Sequence, residues 1–267
     1  MIESRLGADI YDEKSMQEEF LYRSGDMHSL CAYLIYKEEI PRDTPIQDIK
    51  HLFPKLRKEV KSVEFSQQFG GSEYAIQNAM GCTIERAREF KKAYDEGFPG
   101  ITAFKKRGSA FVRKNGYVLM CKYTGHKMYW YGHNEWLEEQ KSYTQEFWED
   151  YRQHHKGTGD SVARAVSEHA KTGAYWDRMA LNSVTQGTGA VCMKDACIDF
   201  YHWILKNNLF GIVKICDLVH DEICIEYPES MPEVGDILEK TMENSAAKYC
   251  KAVPIPAEKA VGKYWIH

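Results

Sequence analysis

The stretch Val213-Lys-Ile-Cys-Asp-Leu-Val-His-Asp-Glu-Ile-Cys-Ile-Glu-Tyr227 sets two β-prone runs on either side of a His-Asp pair. We expect a hairpin with strands over 213–219 and 222–227, because β-branched residues recur in both runs and a two-residue turn suits antiparallel strands. Alternation along the strands predicts an apolar face of Cys216, Leu218, Ile223 and Ile225, and an opposite face of Asp217, Glu222 and Glu226.

Asp221, in the predicted turn beside His220, is a candidate metal ligand. A tight turn holds its carboxylate rigidly away from the strands, and carboxylate oxygens suit a divalent cation such as Mg²⁺. An ordinary polar hairpin tip explains the same residues, and the triplet His220-Asp221-Glu222 alone favours that simpler interpretation.

A second pattern repeats at every fourth position along one stretch. It sets two cations before two aromatic rings, at Arg57, Lys61, Phe65 and Phe69. Pro54 precedes the row and Gly70 follows it, as is typical of the first turn and the exit of a helix. We predict a helix over 54–69 whose cations meet phosphates and whose rings meet a sugar and a base. A surface helix with a charged side and a partly buried aromatic stripe is the alternative.

The third pattern is a row of polar side chains at intervals of four, Arg178, Asn182 and Gln186, followed by Gly187-Thr188-Gly189. Apolar neighbours predict an amphipathic helix with a chemically narrow polar side. Its polar row suits the minor-groove acceptors that every base pair presents, so it would sense pairing and not sequence. A solvated helix face is the alternative.

Taken in order, these motifs resemble the carboxy-terminal polymerase region of family A DNA polymerases, the bacterial DNA polymerase I type and its phage relatives. The 54–69 stretch is similar to the dNTP-binding helix of the fingers, and His220-Asp221-Glu222 to the palm hairpin that carries a catalytic metal ligand. The 178–188 row is similar to the helix that contacts the primer-template minor groove. Gly25-Asp26-Met27-His28 is similar to the segment whose histidine reaches the incoming triphosphate.

The resemblance implies an α+β fold, a polymerase palm interrupted by a mainly helical fingers subdomain. It implies a DNA-directed DNA polymerase that adds dNTPs to a primer 3′ end with two Mg²⁺ ions, in which Asp221 binds metal, Glu222 supports the site and Lys61 assists catalysis. The implied nucleotide-binding residues are Glu3, which crowds a ribose 2′-hydroxyl, His28, Arg57, Lys61, Phe65 and Phe69. The implied DNA-binding residues are Arg178, Asn182, Gln186 and His220.

The chain also departs from the family pattern. Ser66 stands where the family commonly has glycine, and Phe69 where it has tyrosine. The first palm motif of the family, Asp-Tyr-Ser-x-x-Glu-x-Arg, would be entered at Met1, which sets one metal-binding aspartate ahead of this chain. We therefore expect the chain to be incomplete alone and to need an upstream polymerase fragment with that aspartate and a thumb.

Two other functions stay open at this point. A catalytically silent DNA- or nucleotide-binding remnant is favoured if no upstream fragment supplies the aspartate. An HD-type metal phosphohydrolase is suggested by the bare pair His220-Asp221, although HD sites lie on helices and 213–227 is strongly β-prone.

We divide the chain into a palm-to-fingers segment at 1–28, fingers at 29–175 with a long insertion at about 119–175, and a palm at 176–267. No motif assigns a role to the insertion.

Further helices are predicted outside the three motifs, together with one returning strand. We expect helix over 6–36, over 190–204 and over 232–249. A helix capped by Thr83 should run to Glu96 and stop at Gly97. Residues 254–261 should return to the edge of the palm sheet.

The overall charge gives no nucleic-acid signature. The 267 residues carry a net charge of −4, whereas nucleic-acid-binding proteins are usually basic. Positive charge is local: residues 101–134 hold seven Lys and Arg, no Asp or Glu, and several aromatic rings. We predict that this segment contacts unpaired template bases, with a solvated loop as the alternative.

Cysteine usage and hydropathy point to an intracellular setting. The eight cysteines form no CxxC pair, so we expect reduced thiols and no structural zinc. Without a signal sequence or a long apolar run, we expect no membrane partner and a cytoplasmic protein that meets primer-template DNA and dNTPs.

Overall fold

The computed structural model describes residues 2–68 and 70–264, with the side chains of Phe65 and Gln68 outside that description. Its helices are α1 Ile2–Ile10, α2 Lys14–Tyr22, α3 Met27–Ile35, α4 Ile49–Leu52, α5 Pro54–Gln68, α6 Glu73–Met80, α7 Ile84–Gly97, α8 Pro99–Asn115, α9 His133–Ser142, α10 Gln145–Asp150, α11 Ser161–Lys206 and α12 Glu233–Tyr249. Its strands are β1 Tyr117–Cys121, β2 His126–Tyr129, β3 Lys214–Val219 and β4 Glu222–Glu226. The two hairpins β1–β2 and β3–β4 are antiparallel, which confirms the α+β class.

The amino-terminal region predicted as helical over 6–36 forms three helices instead of one span. Asp12 has φ = 51°, in the left-handed region, and separates α1 from α2; Glu13 then caps α2 with its carboxylate. Gly25 has φ = 72° and separates α2 from α3, which Asp26 caps in the same way. Caps and left-handed residues are local signals that a count of apolar periodicity overlooks.

Helix α11 is continuous for 46 residues and passes through Gly187-Thr188-Gly189, the residues that follow the predicted polar row. A Cβ on Gly187 would lie 2.7 Å from the Cβ of Met120 and 2.9 Å from its carbonyl oxygen. Glycine therefore allows β1 to approach the middle of the helix and does not terminate it. The helix predicted over 190–204 is the carboxy-terminal part of α11, with Phe200 and Ile204 buried.

Three other predicted helices are confirmed. Helix α5 begins at Pro54 and runs to Gln68, while Phe69, the last residue predicted for it, lies outside the described residues. Thr83 caps α7 by accepting the backbone N–H of Arg86, and the helix includes Gly97 as its last residue. Helix α12 matches the helix predicted over 232–249.

The predicted return of residues 254–261 to the sheet edge is wrong, because this segment has no strand and hairpin β3–β4 remains two-stranded. Prolines at 254 and 256 cannot donate to a ladder. The segment is held by other contacts: Arg5 Nη1 donates to the carbonyl of Pro254 at 2.8 Å, and Glu243 accepts the backbone N–H of Ala257 at 3.3 Å.

Three apolar clusters hold these elements together. The largest joins α1, α3, α5 and α7 and includes Leu6, Val63 and Phe98. A second cluster, containing Trp130, Trp136 and Trp176, packs β1–β2 against α8, α9 and α11. The third packs β3–β4 against α11 and α12. Helix α11 thus takes part in all three clusters.

The predicted insertion at about 119–175 contains most of β1, all of β2, α9, α10, a π-helical turn at Tyr151–His155 and the first third of α11. None of the described helices combines the length and the apolar character needed to cross a bilayer.

Candidate active site

Hairpin β3–β4 carries the predicted metal ligand at its tip. Val219 pairs with Glu222, so His220 and Asp221 form the two-residue turn, and His220 adopts φ = 52° as such turns require. Asp221 is exposed and Glu222 is partly buried. The turn thus presents a carboxylate outward on a rigid support.

The apolar face of this hairpin differs from the prediction at both of the residues that were expected on it in β3, Cys216 and Leu218. The register shifts between Ile215 and Asp217, and this bulge leaves Cys216 exposed. Ile215, not Cys216, packs with Ile223 and Ile225 against α11 and α12. Leu218, also predicted on the apolar face, is 41% exposed. A bulge changes the alternation of faces, which sequence periodicity does not reveal.

The first predicted phosphate ligand, Arg57, is held by a carboxylate. Its Nε and Nη2 donate to Oδ2 and Oδ1 of Asp26 at 3.0 and 2.9 Å. Burial would raise the pKa of Asp26, but hydrogen bonds from Arg57 and Ser29 outweigh burial and lower the pKa below its ordinary value. The guanidinium is therefore fixed where α5 meets the first turn of α3.

His28 follows Asp26 by two residues, in the first turn of α3. Its Nδ1 is 2.5 Å from Oε2 of Glu64, and Glu64 is only 7% exposed. Arg57 contacts Asp26 and His28 contacts Glu64, so both predicted phosphate ligands lie at the packed boundary of α3 and α5. Lys61 is exposed on the same helix, between Arg57 and Glu64.

The end of α5 meets the polar row of α11. A Cβ on Gly70, which has φ = 72°, would lie 3.3 Å from Cγ of Arg178 and 3.7 Å from Leu181. Arg178 and Gln186 are exposed and Asn182 is partly buried. The structure thus brings the predicted nucleotide helix and the predicted duplex-binding row into contact.

Glu3 lies on α1, which packs on α11, and it is partly buried. The adjoining Tyr11 is 3% exposed, and its hydroxyl lies 2.5 Å from Oγ1 of Thr185. Burial is the main reason that the pKa of Tyr11 is raised to about 12; the charge of Glu3 acts in the same direction, and the hydrogen bond to Thr185 acts against both. Glu3 therefore lies close enough to Tyr11, where α1 packs on α11, for its charge to act on the phenol.

Sequence reasoning missed several residues that position this site, above all Asp26 as the Arg57 partner, Glu64, and Glu13. Glu13 is 1% exposed and accepts the backbone N–H of Gly100 at 2.7 Å, which fixes α8 against α2. A signal existed for Glu64, because it lies seven positions after Arg57 and three after Lys61, on the same helical face.

In the basic stretch 101–134, some of the cations are buried or paired with carboxylates, and others lie on the surface. Burial lowers the pKa of Lys105 to about 8, partly offset by Asp95, and Arg113 forms two hydrogen bonds with Asp177 at 2.9 and 2.5 Å. On hairpin β1–β2, Lys127 lies 4.4 Å from the centre of the Tyr117 ring, which contacts the ring of Tyr129.

The described residues contain no group of three or more His, Cys, Asp or Glu placed to hold a metal ion. Asp221 offers hard oxygen ligands of the kind that Mg²⁺ prefers, and Glu222 adds a second carboxylate beside it. The hairpin tip thus fits part of a magnesium site.

A profile of DNA polymerase family A matches residues 1–267. The chain belongs to DNA polymerase family A. The resemblance inferred from the motifs is therefore confirmed over the whole chain. Its His220-Asp221 pair lies in a β-turn, so the feature that suggested an HD-type phosphohydrolase is not on a helix.

Relatives within family A are long proteins. The chain is 28% identical over 265 residues to "DNA polymerase I" of Caldicellulosiruptor bescii, covering 99% of this chain and 25% of that protein. It is 28% identical over 267 residues to "DNA polymerase I, thermostable" of Thermus filiformis, covering 99% of this chain and 26% of that protein. The chain thus spans about a quarter of the length of the curated relatives it matches.

The fold is similar to a solved structure, the POL domain of Pol1 from M. smegmatis in complex with DNA primer-template and dNTP. The TM-score is 0.67 at 22% identity, covering 95% of this chain and 36% of that chain.

Proposed function

We propose that this chain forms the fingers and most of the palm of a DNA-directed DNA polymerase, which transfers a deoxynucleotide to a primer 3′ end. The observation that carries the proposal is that one family A fold brings the elements of the three motifs next to each other. Arg57 and His28 each contact a carboxylate where α3 packs on α5. Gly70, after α5, lies against Arg178, and α11 packs against the hairpin of Asp221. The substrates, dNTPs and primer-template DNA, would place the protein in the cytoplasm.

The triphosphate would lie along the exposed side of α5. Arg57, His28 and Lys61 would surround it with donors and positive charge, which stabilises the charge that grows on the phosphates during in-line displacement. Along the helix, the positions of Phe65 and Phe69 would meet the sugar and base. Glu3, on α1, would crowd a ribose 2′-hydroxyl and so favour deoxynucleotides.

Asp221 would hold Mg²⁺ at the hairpin tip, with Glu222 supporting it, and two bound ions would stabilise the attacking and leaving oxygens. The described residues provide only part of a two-metal site. We therefore propose that a further aspartate and a thumb come from an upstream polymerase segment, which would complete the palm beside β3–β4.

The duplex would lie against α11 and the hairpin tip. Arg178, Asn182 and Gln186 would donate to minor-groove acceptors of the last base pairs, and His220 would touch the primer end. The template beyond the pair would follow the surface of α8 and β1–β2, where Phe111 and Tyr129 are 41% and 55% exposed and Lys127 adds positive charge.

Primer extension by a reconstituted polymerase, residues 1–267 with an upstream segment containing Asp-Tyr-Ser, tests the proposal. Asp221→Asn should reduce extension by several orders of magnitude while DNA binding persists, because an amide cannot replace the anionic metal ligand. Asp217→Asn, a change of the same chemistry on the same hairpin, should leave extension unchanged. Activity of Asp221→Asn within tenfold of the unmodified protein would contradict the assignment.

The second candidate, a silent DNA- or nucleotide-binding remnant, makes a different prediction. In that case the reconstituted protein would bind primer-template and dNTP but extend no primer, whatever residue occupies position 221.

A further inference from the structure

Glu64 is a buried carboxylate that the phosphate-binding motif does not include. Only 7% of the residue is exposed, in the apolar packing between α3 and α5. Removing a carboxylate from water is costly unless a donor or a cation compensates it. The hydrogen bond from His28 Nδ1, at 2.5 Å, provides such compensation.

Other titratable groups near Glu64 cannot supply a positive charge. Burial first, and then the charge of Glu64, raise the pKa of Cys31 well above its ordinary value. Burial, together with the charges of Cys31 and Glu64, does the same for Tyr94. Both side chains therefore stay neutral at physiological pH. Among the described residues of α5, Arg57 is held at this boundary by Asp26, and Lys61 is exposed.

The pairing fixes the orientation of the His28 ring. With Nδ1 donating to Glu64, a second proton on the ring must lie on Nε2, where it can be donated to a phosphate oxygen. The imidazolium would then lie between two anions, a carboxylate of the protein and a phosphate of the ligand. A carboxylate behind a histidine is a common device for fixing which nitrogen faces a ligand.

We propose that Glu64 is a positioning residue of the nucleotide site, which orients His28 so that its Nε2 donates to the incoming triphosphate. The proposal rests on the proposed function, because it takes a triphosphate as the ligand of His28. Glu64 itself touches neither substrate nor metal and acts only through the ring.

Glu64→Gln is the sharpest variant, because it keeps the size and a carbonyl acceptor but removes the charge. Glu59→Gln is its matched control: Glu59 lies on the same helix and accepts a hydrogen bond from Tyr36 at 2.9 Å, away from His28. Thermal unfolding of both variants, followed by circular dichroism, would verify that each is folded.

Two measurements on the full chain test the proposal. The first is ¹⁵N NMR of the His28 ring, assigned with His28→Gln, before and after addition of dATP and Mg²⁺. The unmodified protein should show a proton on Nδ1 without ligand, and on both nitrogens with dATP. The second is equilibrium binding of dATP, which Glu64→Gln should weaken roughly tenfold, the size expected for one charge-assisted hydrogen bond, while Glu59→Gln binds as the unmodified protein does.

Unchanged His28 signals in Glu64→Gln, or unchanged dATP affinity, would overturn the positioning role. If His28→Gln also bound dATP with unchanged affinity, the phosphate contact of His28 in the proposed function would fail as well. If the unmodified chain did not bind dATP, both the positioning role of Glu64 and the phosphate contact of His28 would be refuted. The ring signals without ligand would still show whether His28 pairs with Glu64.

Discussion

Arg57 and His28, the proposed phosphate ligands, are each held in place by a carboxylate of the protein. Each donates to a carboxylate, Asp26 or Glu64, that sequence reasoning did not select. A cation on a long side chain loses rotamer freedom when it binds, and a prior contact removes part of that cost. The paired carboxylates therefore favour a site whose donors are already in position.

Variants of Lys61 and Gln186 distinguish the two proposed roles, which are neutralising the charge of the triphosphate and contacting the DNA duplex. Lys61→Ala in the reconstituted polymerase should raise the dNTP concentration needed for half-maximal extension and slow transfer, because a cation beside the triphosphate is lost. Gln186→Ala should instead weaken primer-template binding and mismatch discrimination, since it removes a minor-groove donor. Steady-state kinetics with matched and mismatched primers tests both predictions. If the two variants changed only the melting temperature, Lys61 and Gln186 would have structural roles and would not contact substrate.

Tyr11 predicts how stability changes at alkaline pH. Its pKa is about 12 in the folded chain and 10.0 ordinarily, so the unfolded chain loses the phenolic proton first. The protonated Tyr11 therefore contributes fully to the free energy of unfolding below pH 10. About 2–3 kcal/mol of that free energy is lost as the pH rises from 10 through 12. Urea unfolding should show that the difference in free energy of unfolding between the unmodified protein and Tyr11→Phe decreases from pH 10 to pH 12. A constant gap would mean that the hydroxyl is not buried against Thr185.

At the scale of elements, the contact between α11 and β1 depends on Gly187. Gly187→Ala should reduce the free energy of unfolding by about 2–3 kcal/mol, because its Cβ would overlap the backbone of Met120. Gly189→Ala is the matched control, since its Cβ would make only an ordinary 3.5 Å contact with Leu6. That change should be neutral or stabilise by up to about 1 kcal/mol, as alanine favours a helix interior. Equal effects in chemical denaturation would refute the packing argument.

The elements that sequence predicts well are those whose signals are local and regular. Helix α5 and hairpin β3–β4 carry their own period, start and turn, so their bounds and the position of Asp221 were predicted. The breaks at Asp12 and Gly25 depend on caps, and the bulge that exposes Cys216 depends on strand pairing. The continuity of α11 through Gly187 depends on what packs against it, so tertiary contact decides it and local propensity does not.

The candidate site was predicted in part for the same reason. Arg57 and Arg178 follow from motif spacing and His28 from the family resemblance, and the structure brings their elements together. Their partners Asp26 and Glu64 come from a different helix in each case, α3 for Arg57 and α5 for His28. The paired residues are 31 and 36 positions apart in the sequence, so the pairing leaves no periodic pattern that a single sequence could reveal.

For the whole molecule, the proposed function predicts that residues 1–267 alone do not extend a primer. Two-metal transfer needs carboxylates on both sides of two ions about 4 Å apart, and Asp221 with Glu222 provides one side. Asp9, another acidic residue of α1, already accepts the backbone N–H of Ala252 at 2.7 Å.

Primer extension with purified chain and Mg²⁺ should therefore give product only when a polypeptide containing Asp-Tyr-Ser and a thumb is added. The control is that same polypeptide without residues 1–267, which should also be silent. Robust synthesis by residues 1–267 alone would refute the need for an upstream segment.

Helix α11 has a mechanical consequence. At 1.5 Å per residue its 46 residues form a rod about 69 Å long, without a proline to bend it. Arg178 lies about 26 Å from the first residue of the rod and about 39 Å from Ile204, near the hairpin. Near the outer end, Trp136 of α9 donates a hydrogen bond to the backbone carbonyl of His169. A force applied there would rotate or shift the whole helix, including its middle. A partner bound to that outer end would therefore displace the residues proposed to contact the duplex, because a stiff helix transmits the displacement along its length.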